Sequence, residues 1–235
     1  MIVHPRLLVL VALTQILGAL VMELRPVAGS VANTNASRDE FGLHTDDAAV
    51  PRNGRAAFIN LYGLVNPPDT MTGYAPTRDA LAEMQASGAV EVLLQALREP
   101  RFEVRYPISF KFEKEVWSDP CAIIEMSEDG DIDTRFPSYA VKPVDDGDFV
   151  AHAAIAVFLA ALERHVVNVP LDPGCFLTFN NSRGAHKRGA IGQGDRRVLR
   201  TYSARDLDQL RQMTDAPGPI FPIAPIVAAL TTHAA

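Results

Sequence analysis

Two stretches far apart in the chain carry residues suited to one metal ion. The first is Phe41-Gly42-Leu43-His44-Thr45-Asp46-Asp47. Side chains alternate along an extended segment, so His44 and Asp46 point to one face and can take adjacent positions on an ion. Alone, a His-x-Asp triplet is common, and its ordinary reading is a solvated turn. The second stretch, Asn181-Ser182-Arg183-Gly184-Ala185-His186-Lys187-Arg188, supplies another imidazole at His186. Fourteen residues later comes Arg200, within Arg196-Arg197-Val198-Leu199-Arg200-Thr201-Tyr202. An arginine alternating along a strand can project into the interior, where a guanidinium needs an anionic partner. A diacid would supply one through two parallel hydrogen bonds. Two histidines and one carboxylate that leave coordination positions open form the ligand set of mononuclear non-haem iron.

The elements that must hold these residues are short and mostly extended. Ala56–Val65 reads as a buried strand, stopped by Asn66-Pro67-Pro68-Asp69. Thr77 can cap a helix carrying Leu81 and Met84, and Val90–Leu97 makes a second apolar segment. Strands are expected at Glu23–Val27, Phe102–Tyr106, Ile108–Phe112, Cys121–Met126, Arg135–Val141, Val166–Val169, Cys175–Phe179 and Arg197–Tyr202. Asp172-Pro173-Gly174 is a turn. Asp148–Val166 is the clearest helix, with Asp148 as its cap, and it carries His152 and His165 as ordinary helical histidines. Ser203, with Asp206 three residues on, suggests a capping box for a short helix. The pattern predicts a mainly β protein with helical additions, of jelly-roll type, because strands do not alternate regularly with helices.

At 235 residues the chain is one domain, expected over 1–213, followed by an irregular, Pro-rich apolar tail over 214–235. A net charge of −6 argues against wholesale nucleic-acid binding. Cys121 and Cys175 are too few for a disulfide framework, and both are expected to be free, buried thiols on strands. Leu7–Met22 is an apolar run shorter than the roughly 20 residues of a membrane span. It reads as a buried helix or a signal peptide, and no clean cleavage site follows it.

Taken in order, these motifs resemble the Fe(II)/2-oxoglutarate-dependent dioxygenases of the taurine-dioxygenase superfamily (TauD/TfdA). The closer likeness is to the clavaminate-synthase-like branch, which includes asparagine and arginine hydroxylases. The resemblance rests on His44-Thr45-Asp46-Asp47-Ala48, Val65-Asn66, Pro173-Gly174, Asn181, Arg183, His186, Arg188, Asp195-Arg196, Arg200 and Tyr202, and spans Arg6 to Arg211. It implies a double-stranded β-helix (a cupin-like jelly roll) with His44, Asp46 and His186 as Fe(II) ligands. It further implies Arg200 on the distal carboxylate of 2-oxoglutarate, joined by Thr72 in preference to Thr70. Arg188 and Arg196 frame the cosubstrate site or serve the structure. The implied activity is hydroxylation of an unactivated C–H bond in an amino acid or a derivative, using O2, in specialised-metabolite (antibiotic) biosynthesis. Desaturation or cyclisation within the family, and a cupin-like binding protein without turnover, are the alternatives. The resemblance also favours the buried helix at Leu7–Met22, hence a cytoplasmic protein with no membrane or nucleic-acid partner; oligomeric state is left open.

The chain departs from the family in three places, one of them Met22-Glu23, where members often read Gln-Asp. Members usually have a longer region before the part matching Arg6. Arginine hydroxylases carry an acid-rich Arg-x-Asp-x-Asp run where this chain has Thr134-Arg135-Phe136-Pro137-Ser138-Tyr139, which makes arginine a poor substrate. Asp131 and Asp133, just upstream, read as part of a solvated acidic loop with Glu128 and Asp129.

Overall fold

The computed structural model describes residues 16–17, 21–88, 91–108, 113–126, 130–204, 207–215, 217 and 220–221. Strands are numbered in chain order. One sheet runs β11 (Phe176–Asn180), β4 (Phe58–Val65), β13 (Arg197–Ser203), β1 (Ile16–Leu17) and β14 (Ile220–Phe221), with β2 (Met22–Leu24) also paired to β13. The other runs β10 (Val167–Pro170), β5 (Met71–Pro76), β12 (Gly184–Arg188) and β3 (Phe41–His44), all antiparallel. Two ribbons complete the β structure, β6 (Phe102–Val104) with β9 (Val141–Pro143) and β7 (Ile124–Met126) with β8 (Ile132–Thr134). The helices are α1 (Thr77–Ala86), α2 (Glu91–Leu97), α3 (Phe149–Arg164) and α4 (Leu207–Thr214). The protein is therefore mainly β with helices added.

The period-2 pleat sorts the second sheet into two faces. Leu43, Ala75 and Ala185 face a helical layer, where they pack with Ala80, Leu81, Met84, Leu97, Phe158 and Leu162. Small side chains on the strands let the helices approach closely. Their neighbours His44, Tyr74 and His186 turn the other way, toward the first sheet. There Ile59, Leu61, Leu171, Phe179 and Val198 form a second apolar cluster with Tyr74 packed against it. Tyr74 meets Phe179 across the gap at 5.5 Å between ring centroids. The site histidines thus emerge from the wall of a packed core, which fixes their rotamers.

Gly184 sits at the narrowest point. A Cβ there would overlap the Ala75 carbonyl oxygen and approach the Tyr74 ring within 2.7 Å. Gly184→Ala is expected to cost about 1–3 kcal/mol by overpacking, read as a lower thermal midpoint.

Several expected elements form, with shifted ends. Asp148 caps α3, its Oδ1 accepting from the Ala151 amide at 3.0 Å. The Asp172-Pro173-Gly174 turn forms with Gly174 at φ 87°, but it carries the chain from one sheet to the other. Arg135–Val141 is not a strand. Its Phe136 amide and carbonyl are instead taken by Thr45, through Oγ1 at 3.0 Å and the amide at 2.9 Å. The Arg135 guanidinium donates to the carbonyls of Ala48 and Ala49 at 2.7 and 3.0 Å. The segment braces the chain that carries Asp46. Asp133 is not solvated: it is buried between Arg52 at 2.7 Å and Arg183 at 3.1 Å. Both cysteines are free, yet only Cys121 is buried; Cys175 is exposed, and neither lies on a named strand.

At the ends, Ile16–Leu17 is a strand where a helix was expected, because its backbone pairs with Ser203 and with Ile220–Phe221. That same pairing gives part of the tail regular structure. The rest of the Leu7–Met22 helix up to residue 20, most of the Ile108–Phe112 strand, the Asp206 half of the capping box and most of the tail lie outside the described residues. Among the described residues, no helix is long and apolar enough to cross a membrane.

Candidate metal centre

β3 and β12 are adjacent, and their register sets His44 directly opposite His186. The rings lie 4.1 Å apart. Phe41 stacks on His44 at 3.9 Å, and Phe179 packs on His186 at 4.8 Å. Asp46 lies two residues beyond β3 in a turn, so the alternation of a strand does not aim it. Asn181 does so instead. Its Oδ1 accepts from the Asp46 amide at 2.8 Å, and its Nδ2 donates to the carbonyls of Asp46 and Ala56 at 3.1 and 2.8 Å.

Asp46 Oδ1 lies 3.3 Å from His44 Nε2 and 3.8 Å from His186 Nε2. One ligand atom from each of the three falls within 4.8 Å of the others. All three residues are buried. Asp46 Oδ2 is turned away and accepts from Arg200 Nη1 at 3.0 Å and from the Tyr202 hydroxyl at 2.6 Å. The carboxylate therefore presents a single oxygen to the histidines. His44 Nδ1 lies 2.7 Å from the Gly42 carbonyl, which assigns the proton to Nδ1 and leaves the Nε2 lone pair for a metal.

Burial alone would raise the Asp46 pKa, but the positive charge of the Arg200 guanidinium, then the fields of the nearby imidazoles, hold it well below the ordinary carboxylate range. Burial, then the neighbouring His44, pushes His186 down to about 3. Asp46 is thus an anion and His186 a neutral ligand at physiological pH, the states a divalent cation needs. Burial and the adjacent Asp46 push Asp47 up to about 7.

Two spaces open from this centre. One is a narrow cleft of about 30 Å³ lined by Ile59, Leu61, Thr72, Arg188, Arg196 and Arg200. Arg196 and Arg200 face inward from the same strand line, four residues or about 13 Å apart along it. Arg200 sits at the metal end, against Asp46, and its Nε is buried without an acceptor. Arg196 has only Asn66 Oδ1 on its Nε at 3.2 Å, and neither terminal nitrogen has an acceptor among the described residues. Burial and then the like charge of Arg188 lower the Arg196 pKa to about 10. Arg188 donates to the carbonyls of Gly189 and Ser37 at 2.8 and 2.9 Å, so it frames the cleft and adds charge. Thr72, opposite Arg188 in β5, lines the cleft, whereas the Thr70 hydroxyl is spent on the Ala190 carbonyl at 3.3 Å. The other space is a chamber of about 400 Å³ bounded by the 31–36 loop, Phe41, His44, Asp46, Asp47, Arg105, Ile108, Tyr139 and Tyr202.

The sequence reading did not foresee the work of Asn181, Arg135 and Tyr202. Tyr202 carried a usable signal, since it lies two residues after Arg200 and shares its strand face. Tyr202→Phe is expected to weaken divalent-metal binding about 10–100-fold, measured by Co(II) titration, with the fold retained.

The donor set fits one Fe(II) ion with positions left open, and the unpartnered donors of Arg196 and Arg200 fit an anion beside it. Fold and site together are similar to those of solved non-haem iron oxygenases. The particular likenesses are to solved members of that class. Asparagine oxygenase, in complex with Fe(II), 2S,3S-3-hydroxyasparagine and succinate, superposes with a TM-score of 0.75 at 25% identity, over 87% of this chain and 62% of that one. The non-haem iron oxygenase OrfP, in complex with Fe and alpha-ketoglutaric acid, superposes with a TM-score of 0.67 at 20% identity, over 86% and 62%. A variant of OrfP with (3S)-hydroxy-L-Arg superposes at 0.69 and 20% identity, over 87% and 63%. These neighbours are iron-containing oxygenases by description, in keeping with the family that the motifs resemble. The chain spans less than two thirds of their length. No family model matches the chain, and no curated relative does.

Proposed function

We propose that this chain is an Fe(II)- and 2-oxoglutarate-dependent oxygenase that hydroxylates an unactivated C–H bond of an amino acid or a small derivative, on a double-stranded β-helix. The observation that carries this reading is the trio His44, Asp46 and His186 on a cleft shared with a buried arginine, Arg196, that has no acid to pair with among the described residues. A buried cation next to another cation is costly unless an anion joins it, and the cleft supplies the place for one.

His44 Nε2, Asp46 Oδ1 and His186 Nε2 would hold the iron. When bound, the metal and its cosubstrate would supply the oxidising power, with O2 as oxidant: one oxygen atom would go to succinate, formed with CO2 from 2-oxoglutarate, and the other to the product alcohol. The protein's own residues bind, orient and exclude water. Arg200 and Tyr202 hold Asp46 to one oxygen, which keeps the remaining positions open. Phe41, Phe179, Ile59 and Leu61 wall the centre from solvent.

The family resemblance implied Arg200 for the distal carboxylate of 2-oxoglutarate. The geometry favours a division of labour. Arg196 and Thr72 take the distal carboxylate at the far end of the cleft, under the added charge of Arg188. Arg200 takes the near carboxylate on its unpartnered Nε edge.

The test is anaerobic loading with Fe(II), then addition of 2-oxoglutarate, O2 and an amino-acid panel. Iron-dependent succinate release stimulated by one of them supports the proposal. Tight metal binding with no 2-oxoglutarate binding would overturn it in favour of a binding protein.

A further inference from the structure

The chamber carries a carboxylate that the metal centre does not use. Asp47 directly follows Asp46 on backbone with φ 58°, a left-handed conformation that non-glycine residues adopt at a cost and aspartate tolerates better than most. The turn is held there by the Val50 amide, which donates to the Asp47 carbonyl at 2.9 Å. Asp47 so placed lines the chamber.

No hydrogen bond or ion pair reaches the Asp47 carboxylate among the described residues. The positive field of Arg200 reaches it, but that guanidinium is bonded to Asp46. Arg105, the other cation on the chamber wall, is paired with Glu115 at 3.0 Å near the rim. The remaining wall near the metal is apolar or uncharged: Phe41, Ala48, Ala49, Val104, Ile108 and Tyr139. The Asp47 carboxylate is half-buried in this wall, and a bound cation offsets the cost of its partial desolvation. A chamber of this size accepts a small molecule of amino-acid dimensions.

Building on the proposed function, we propose that Asp47 anchors an ammonium group of the substrate, so that the chamber selects small amines and rejects neutral or acidic molecules of the same skeleton. The anchor sits one residue from the metal-facing carboxylate. Substrate recognition and metal binding therefore share one turn of chain, braced by Asn181 and Arg135.

The experiment uses the full chain loaded with Mn(II) and 2-oxoglutarate without O2, so that binding is read without turnover. L-α-amino acids and short alkyl amines are titrated by calorimetry, each beside its counterpart with hydrogen in place of the ammonium. The best amine is expected to bind about thirtyfold or more tightly than its deaminated counterpart. In Asp47→Asn that preference collapses, and in Asp47→Glu part of it returns. The readout is a ratio within one protein, so damage to the fold lowers both members and leaves the ratio. Mn(II) binding in the same samples reports separately on the proposed function. With the metal bound, an unchanged ratio in Asp47→Asn overturns the proposal. So does a wild type that binds deaminated compounds as well as amines, or one that binds no amine at all.

Discussion

Asp46→Ala protein is expected to lose iron-dependent succinate formation entirely. The three ligand atoms lie within 4.8 Å of one another, and no fourth His, Cys, Asp or Glu joins the group among the described residues. A site with three protein ligands has no spare. The loss in Fe(II) affinity should exceed the roughly 10–100-fold that removing an outer hydrogen-bond partner costs. His44→Ala and His186→Ala should behave alike. Asp46→Ala carries a second penalty, because it strands the buried Arg200 guanidinium without its acid, at about 3–5 kcal/mol. Asp46→Asn keeps the volume and a hydrogen-bond acceptor, and separates metal loss from unfolding. Circular dichroism checks the fold and Co(II) titration the site. If Asp46→Asn binds metal and turns over like wild type, these three residues are not the centre.

The second large effect divides Arg196 from Arg200. Arg196→Ala should raise the apparent KM for 2-oxoglutarate by the equivalent of roughly 2–5 kcal/mol, tens- to thousands-fold, because a carboxylate then lacks its partner in a partly dry cleft. Metal affinity should stay close to wild type, since Arg196 touches no ligand. Arg196→Lys keeps the charge but loses the planar fork, and should fall between. Arg200→Ala should instead affect both. It removes a donor from Asp46 Oδ2, so metal binding should weaken about 10–100-fold alongside 2-oxoglutarate binding. The opposite pattern would return the distal carboxylate to Arg200: Arg196→Ala silent, and Arg200→Ala abolishing 2-oxoglutarate binding with the metal untouched.

Which residues could meet at a metal was readable from their types and order. His-x-Asp, a later His and a following run of arginines define the chemistry, because few other combinations of side chains leave open positions on an ion. The α3 cap at Asp148 and strands such as β4 and β13 were equally legible, since caps, turns and buried runs are local signals. Two strands of the site sheet were not. β5 (Met71–Pro76) carries Gly73 and Pro76, and β12 (Gly184–Arg188) carries Gly184 and two cations, so neither has a strand's composition. Both form because neighbours supply their hydrogen bonds and because small residues admit the helical layer.

The directions of the side chains belonged to tertiary structure alone. The sequence determined that His44 and Asp46 lie two residues apart; the hold of Asn181, 135 residues away, on the Asp46 backbone brings their side chains together, because Asp46 sits in a turn where strand alternation does not apply. The family resemblance favoured Arg200 for the distal carboxylate. The pairing of β13 with β2 and β4 set Arg200 against Asp46 and left Arg196 at the far end of the cleft. Local spacing fixes which side chains share a strand face, whereas register between distant strands fixes what each one meets.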